Sequence, residues 1–160
     1  MGKKPLNIKA TSVFFAKPSQ YKSDLEKALD YLLEQSYPEV LLTGIGGKRF
    51  DHALTNISIL AKYSDRIKIS FFDTEGYGIV TNSKLEKTIK FDTKKETVIS
   101  LLAAPFAGGI TTEGLYYPLD NENLEFGNNK CEGISNVANQ KKIKISFTEG
   151  CLITFINNAS

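Results

Sequence analysis

From Thr43 to His52 the chain reads Thr-Gly-Ile-Gly-Gly-Lys-Arg-Phe-Asp-His. Three glycines, two cations, an acid and the only histidine of the chain fall together there. Glycines let backbone amides approach an anion closely, and a helix starting behind them adds partial positive charge. Arg49 supplies a planar fork suited to phosphate, and Lys48 a point charge. Asp51 suits either a hard cation or the cap of a helix. The spacing matches no general phosphate motif. Arg49 stands where a Ser or Thr follows the Gly-Lys pair of a P-loop, and the last glycine of the dinucleotide fingerprint is missing. A plain strand-to-helix turn with an Asp cap accounts for the same residues.

Two further segments carry polar groups that could contact a ligand. Asp24 opens a helix after the preceding connection. In an open parallel sheet the loops at the carboxyl ends of the strands share one edge. Asp24 and the 44–52 turn are therefore expected to face one crevice. A first-turn acid also simply favours the helix dipole. The run Gly127-Asn-Asn-Lys-Cys-Glu-Gly-Ile-Ser-Asn136 is a polar loop between late strands. Ser135 and Asn136 could bond a polar heterocycle, although Asn in such a loop also serves left-handed backbone. Cys131 has only Lys130 beside it, too little to mark a reactive thiolate. Cys151 begins an apolar strand and reads as a small core residue.

The elements that must position these residues change character near residue 75. Before it, strand and helix patterns alternate. Residues 11–16 (TSVFFA), 40–43 (VLLT) and 67–72 (IKISFF) read as buried strands. Ser23-Asp-Leu-Glu26 reads as a capping box. Leu25, Ala28, Leu29, Leu32 and Leu33 follow as one helical stripe. Ala53, Leu54, Ile57, Leu60 and Ala61 form a second. Strand–helix alternation implies parallel pairing with right-handed crossovers. After residue 75, short strands are predicted at 78–81, 85–89, 98–102, 109–117, 123–126, 142–147 and 151–156, with turn residues between them. That spacing predicts an antiparallel sandwich or barrel. The expected fold is α/β plus all-β: a partial parallel α/β layer over residues 1–75, then an antiparallel β-sandwich over 76–160.

Composition narrows the functional classes. The 160 residues are 41% hydrophobic and 24% charged, an ordinary globular balance. A chain this long buries about 70% of its unfolded surface and needs no metal or disulfide staple. Twenty Lys and Arg against 18 Asp and Glu leave a net charge of only +2, which argues against a nucleic-acid binder. No apolar run approaches the roughly 18 residues of a membrane span. No apolar segment follows Met-Gly-Lys-Lys-Pro, so a secretory signal is not expected. Two cysteines make no disulfide framework, and a reduced cytoplasmic setting is expected. A single His excludes a multi-His metal site within one chain.

Taken in order, the motifs resemble the thiamine pyrophosphokinase family, also called thiamine diphosphokinase. The resemblance rests on Ser23-Asp-Leu-Glu-Lys-Ala-Leu29, on the Thr43–His52 run with Asn56, and on Gly109-Ile-Thr-Thr-Glu-Gly-Leu-Tyr-Tyr-Pro-Leu119. Leu124-Glu-Phe-Gly127, Gly133-Ile-Ser-Asn136 and Gly150-Cys-Leu-Ile153 complete it. It implies a nucleotide-binding α/β domain and a thiamine-binding β-sandwich working as a homodimer. It implies transfer of a pyrophosphoryl group from ATP to thiamine with Mg²⁺, giving thiamine diphosphate and AMP. It implies catalytic roles for Asp24 and Asp51, with Asp24 near the metal. Gly46, Gly47, Arg49 and His52 would meet the nucleotide, and Ser135 and Asn136 would hold thiamine.

The sequence departs from the family pattern in several places. The family's usual first strand–helix segment, with its Ala-Asp-Gly and Gly-Asp-Phe-Asp-Ser motifs, has no counterpart. The acids those motifs bring to the metal are therefore lacking. Lys48 replaces a usual glycine, and Val137 a common acid. Two readings follow: an incomplete form of the enzyme, or a relative that binds thiamine and nucleotide without turnover. Either way, slow turnover is expected. The strand at 11–16 is expected to lie beside an exposed or partner-covered sheet edge.

Overall fold

The computed structural model describes residues 21–127 and 133–158. The strand expected at 11–16 and Cys131 lie outside the described residues. The capping box at Ser23 forms as the sequence predicts. The Glu26 amide donates to Ser23 Oγ at 3.2 Å, and the Ser23 amide donates to the Glu26 carboxylate at 3.1 Å. It starts α1 (Asp24–Glu34). β1 (Glu39–Thr43), α2 (Phe50–Tyr63) and β2 (Lys68–Asp73) follow. β1 and β2 pair in parallel, Val40 beside Ile69 and Leu42 beside Phe71. The crossover helix between them makes this the expected α/β layer.

A hairpin joins β2 to β3 (Gly76–Asn82), and the pairing turns antiparallel. β4 (Thr88–Asp92), β5 (Val98–Glu113), β6 (Glu122–Glu125), β7 (Asn136–Val137), β8 (Lys142–Ser146) and β9 (Glu149–Asn157) complete the chain. The strand order is β1-β2-β3-β9-β5-β8-β4, with β6 and β7 added on β5. The expected boundary near residue 75 falls in the β2–β3 turn, through which the sheet runs on without a break.

β9 explains how one sheet serves two cores. Side chains alternate across a strand. Cys151 and Ile153 therefore enter the core under the helices with Leu29, Leu60, Tyr63, Ile69 and Val80. Leu152 enters the opposite core with Ile99, Leu101, Ile143 and Ile145. That second core lies between the main sheet and the smaller layer of β4, β8 and the end of β5.

Four predicted elements differ from the structure. The strands expected at 98–102 and 109–117 are one strand, β5, which ends at Glu113. Its pairing shifts between Ala103 and Ala107 against β9, and between Ala107 and Ile110 against β6. Pro105 and the following glycines read as breaks, but bulges absorb them as bends within one strand. The strand expected at 85–89 begins at Thr88, because Leu85 and Glu86 close a turn onto the Asn82 carbonyl. In α2, Leu54 is 53% exposed instead of joining the buried stripe, and Ile59 and Tyr63 are buried. The first turn of α2 projects past the sheet. No helix among the described residues is long and apolar enough to cross a membrane.

Candidate functional site

The glycine turn leaves the carboxyl end of β1 and enters α2 at Arg49, whose side chain makes no capping bond. The expected Asp cap is therefore absent; Asp51 lies in the first turn. Ile45 is buried in the core, and Asn56 Nδ2 donates to its carbonyl at 2.9 Å. Gly47, Lys48, Arg49 and His52 are exposed beyond this anchor. Arg49 Nε donates to Asp51 Oδ1 at 3.1 Å and Nη2 donates to Oδ2 at 2.5 Å. That hydrogen bonding holds the Asp51 carboxyl below the usual carboxylate range. Both side chains are largely exposed. An exposed pair of this kind adds little to stability, because solvent screens it. Arg49 can therefore turn from Asp51 to an arriving phosphate at little cost.

Asp24 does not meet this turn. Lys62, in the last turn of α2, donates to Glu26 in the first turn of α1 at 2.8 Å. Tyr63 Oη donates to Asp30 at 2.8 Å, and Lys22 donates to Asp30 from the other side at 2.6 Å. The start of α1 thus lies against the end of α2. Eleven residues separate Asp51 from Lys62, about 16 Å of helix. The crevice expected to hold both Asp24 and the glycine turn does not form in this arrangement. The Asp24 side chain is 91% exposed and pairs with Lys27 at 3.0 Å.

The second group of predicted residues lines an open groove of about 420 Å³. Ser135 and Asn136 meet Tyr117, Pro118, Leu119, Glu122 and Ile134 there. Ser135 stands at φ 57, a left-handed conformation that is uncommon outside glycine. Its amide donates to Ser100 Oγ at 3.1 Å, and its own side chain is exposed. Asn136 is 1% exposed. Its Nδ2 donates to the Tyr117 carbonyl at 2.6 Å, while its Oδ1 accepts from the Tyr117 amide at 3.1 Å and the Val137 amide at 2.9 Å. Asn136 therefore holds the backbone of Tyr117 as a neighbouring strand would. The Tyr117 ring is left 69% exposed.

Sequence reasoning missed Tyr117, Glu122 and Asp73. The Tyr-Tyr-Pro run was visible, but nothing in it separates a groove wall from a strand residue. Asp73 ends β2 and accepts from the Gly46 amide at 2.9 Å, a contact across 27 residues that no local pattern announces.

Residues 6–71 match the family described as thiamin pyrophosphokinase, catalytic domain. Residues 86–152 match the family described as thiamin pyrophosphokinase, vitamin B1 binding domain. The chain belongs to the thiamin pyrophosphokinase family. The thiamine pyrophosphokinase of Bacillus subtilis (strain 168) is 32% identical over 145 residues, covering 90% of this chain and 65% of that protein. The crystal structure of the Bacillus subtilis protein superposes with a TM-score of 0.76 at 27% identity, covering 89% of this chain and 66% of that one. That of the thiamin pyrophosphokinase from Geobacillus thermodenitrificans gives 0.74 at 30% identity, covering 89% and 65%. This chain thus spans just under two thirds of the length of these thiamin pyrophosphokinases. The groove at Ser135 lies within the segment matched to the vitamin B1 binding domain, and the glycine turn within the catalytic segment.

Magnesium, which the family resemblance implies, finds no fitting set here. Among the described residues no three Asp, Glu, His or Cys side chains gather. Asp24 and Asp51, the acids expected to serve an ion, lie at opposite ends of α2 and are each paired to a cation.

Proposed function

We propose that the chain binds thiamine in the Ser135 groove and the phosphates of ATP at the glycine turn, as a thiamine pyrophosphokinase. The observation that carries this reading is the groove itself. It joins an exposed aromatic ring, a carboxylate from Glu122 and an exposed hydroxyl from Ser135. Thiamine carries two flat aromatic rings joined by a methylene, one of them a cationic thiazolium. An aromatic face attracts such a cation, by about 0.5–1 kcal/mol at an exposed site. Glu122 adds charge of the opposite sign, and Ser135 offers hydrogen bonding to the pyrimidine ring. Asn136 acts one step back, by holding Tyr117 in place.

In the proposed reaction, the thiamine hydroxyl oxygen bonds to the β-phosphorus of ATP. The bond from that phosphorus to the oxygen shared with the α-phosphorus breaks, and AMP leaves with that oxygen. The hydroxyl proton passes to solvent. MgATP is the substrate form. Phosphoryl transfer asks mainly for positioning and charge neutralisation. Arg49 supplies the charge at the turn. Asp51 is the partner that Arg49 holds until a phosphate takes its place. Tyr117 and Ile134, which line the groove, are exposed large hydrophobic residues. An exposed patch of this kind favours a partner surface, and a second copy of the chain is the proposed partner, giving a homodimer.

A second reading is favoured by the separation of Asp24 from Asp51: a module that binds both ligands without turnover. One assay divides the two. The chain is incubated with thiamine and MgATP, and products are separated. Thiamine diphosphate and AMP formed in equal amounts, even slowly, support the enzyme. Thiamine binding without either product supports the binding module.

A further inference from the structure

We propose that Asp73 is the positioning residue of the glycine turn, a carboxylate staple that fixes where Arg49 meets a phosphate. The inference rests on reading that turn as the phosphate site. The Asp73 carboxylate spans two turns at one edge of the sheet. Oδ2 accepts from the Gly46 amide at 2.9 Å, and Oδ1 accepts from the Thr74 amide at 2.7 Å. Parallel pairing of β1 with β2 brings these turns together, since Thr43 lies beside Phe72 at the end of the register.

The same contact crowds residue 46. A Cβ placed there would lie 2.0 Å from Asp73 Oδ2, a distance no side chain can keep. At Gly44 and Gly47, by contrast, nothing lies within 4 Å of such an atom. Gly46 thus admits a carboxylate of the chain itself, not an incoming ligand. Its amide is already used. An incoming phosphate meets the exposed stretch of Gly47, Lys48 and Arg49. That stretch is anchored from behind at two points: the Ile45 carbonyl by Asn56, and the Gly46 amide by Asp73. Without the second anchor the turn pivots on the first, and Arg49 loses its fixed start to α2.

Three measurements on the 160-residue chain test this. ATP titration of Asp73→Ala is expected to show affinity down about tenfold, the scale of one charge-assisted hydrogen bond. Asp73→Asn keeps an oxygen acceptor and is expected to recover most of that loss. Thiamine affinity stays at the parent value in both, because the groove is built from the loop after β5, the start of β6, and β7 with the residues before it. Thermal melts supply the third arm: Gly46→Ala lowers Tm in the parent, and much less in Asp73→Ala, where the clashing oxygen is gone. Unchanged ATP affinity in Asp73→Ala overturns the proposal. So does a rise in affinity, which would make Asp73 a competitor of phosphate. Equal melting losses for Gly46→Ala in both backgrounds overturn it as well. A parent chain that takes no ATP removes the phosphate reading instead, and the melting comparison then decides the staple alone.

Discussion

Replacing Asn136 by Ala separates a residue that touches thiamine from one that holds the groove open. The side chain is 1% exposed and makes three hydrogen bonds, two to the backbone of Tyr117 and one to the Val137 amide. At about 1 kcal/mol net for each bond, the loss is near 3 kcal/mol. For a chain of this size that lowers Tm by about 6–12 °C. Thiamine affinity should fall with it, because the Tyr117 ring loses its fixed support. Circular dichroism melts and calorimetric thiamine titrations on the same samples measure both. Ser135→Ala is the companion variant. It leaves the Asn136 bonds in place, so its stability should stay within about 0.5 kcal/mol of the parent. Asn136→Ala with an unchanged Tm and lost thiamine binding would refute the reasoning. The amide would then be contacting the ligand and not the Tyr117 backbone.

Arg49→Ala should weaken ATP binding by about 1.5–3 kcal/mol, the worth of a hydrogen bond to a charged group, while Tm hardly moves, because Arg49 is exposed; equal ATP affinity by titration would remove Arg49 from the site. Leu152→Ala should cost about 2–5 kcal/mol in chemical denaturation, since Leu152 is fully buried in the core between the two sheet layers. The α1–α2 contact should be acid-sensitive. Lys62 and Lys22 hold the Glu26 and Asp30 carboxyls below their usual range. A depressed carboxyl stabilises the fold above its unfolded value, near pH 4, and that contribution is lost as pH falls through the folded value. Tm measured from pH 6 down to pH 3 should therefore drop, and Lys62→Met should flatten the drop. At the alkaline end Tyr63 is pushed up to about 12 by burial and by its bond to Asp30. Its folded value is raised, so stability is whole below about pH 10 and declines above it. Near-ultraviolet titration should find it among the last tyrosines to ionise.

Local signals carried much of this architecture. The capping box at Ser23 and the stripe of α1 were legible because helix starts and periodicity are short-range properties. The parallel pairing of β1 with β2 followed from strand–helix alternation. β5 was not legible as one strand, because Pro105 and the glycines at 108 and 109 look like a turn when read locally. Only pairing with β9 on one side of the bend and β8 on the other shows that the strand continues. At the sites, the glycine turn and Ser135 were visible as residue types. Their supports were not. Asp73 reaches Gly46, and Asn136 reaches Tyr117, through sheet pairings that no window of sequence contains. The shared crevice for Asp24 was the expectation the structure altered most. It came from the usual placement of helix starts at one sheet edge, and the Lys62–Glu26 ion pair with the Tyr63–Asp30 hydrogen bond places α1 otherwise.

The central claim is that the groove of Tyr117, Glu122 and Ser135 is a thiamine site. Calorimetric titration of thiamine into the 160-residue chain, with Tyr117→Ala alongside, tests it most directly. Saturable binding by the parent is expected, with a loss of about fivefold or more in Tyr117→Ala, the scale of one aromatic–cation contact, and Tm unchanged. No heat of binding in the parent, or equal affinity in the two proteins, would contradict it.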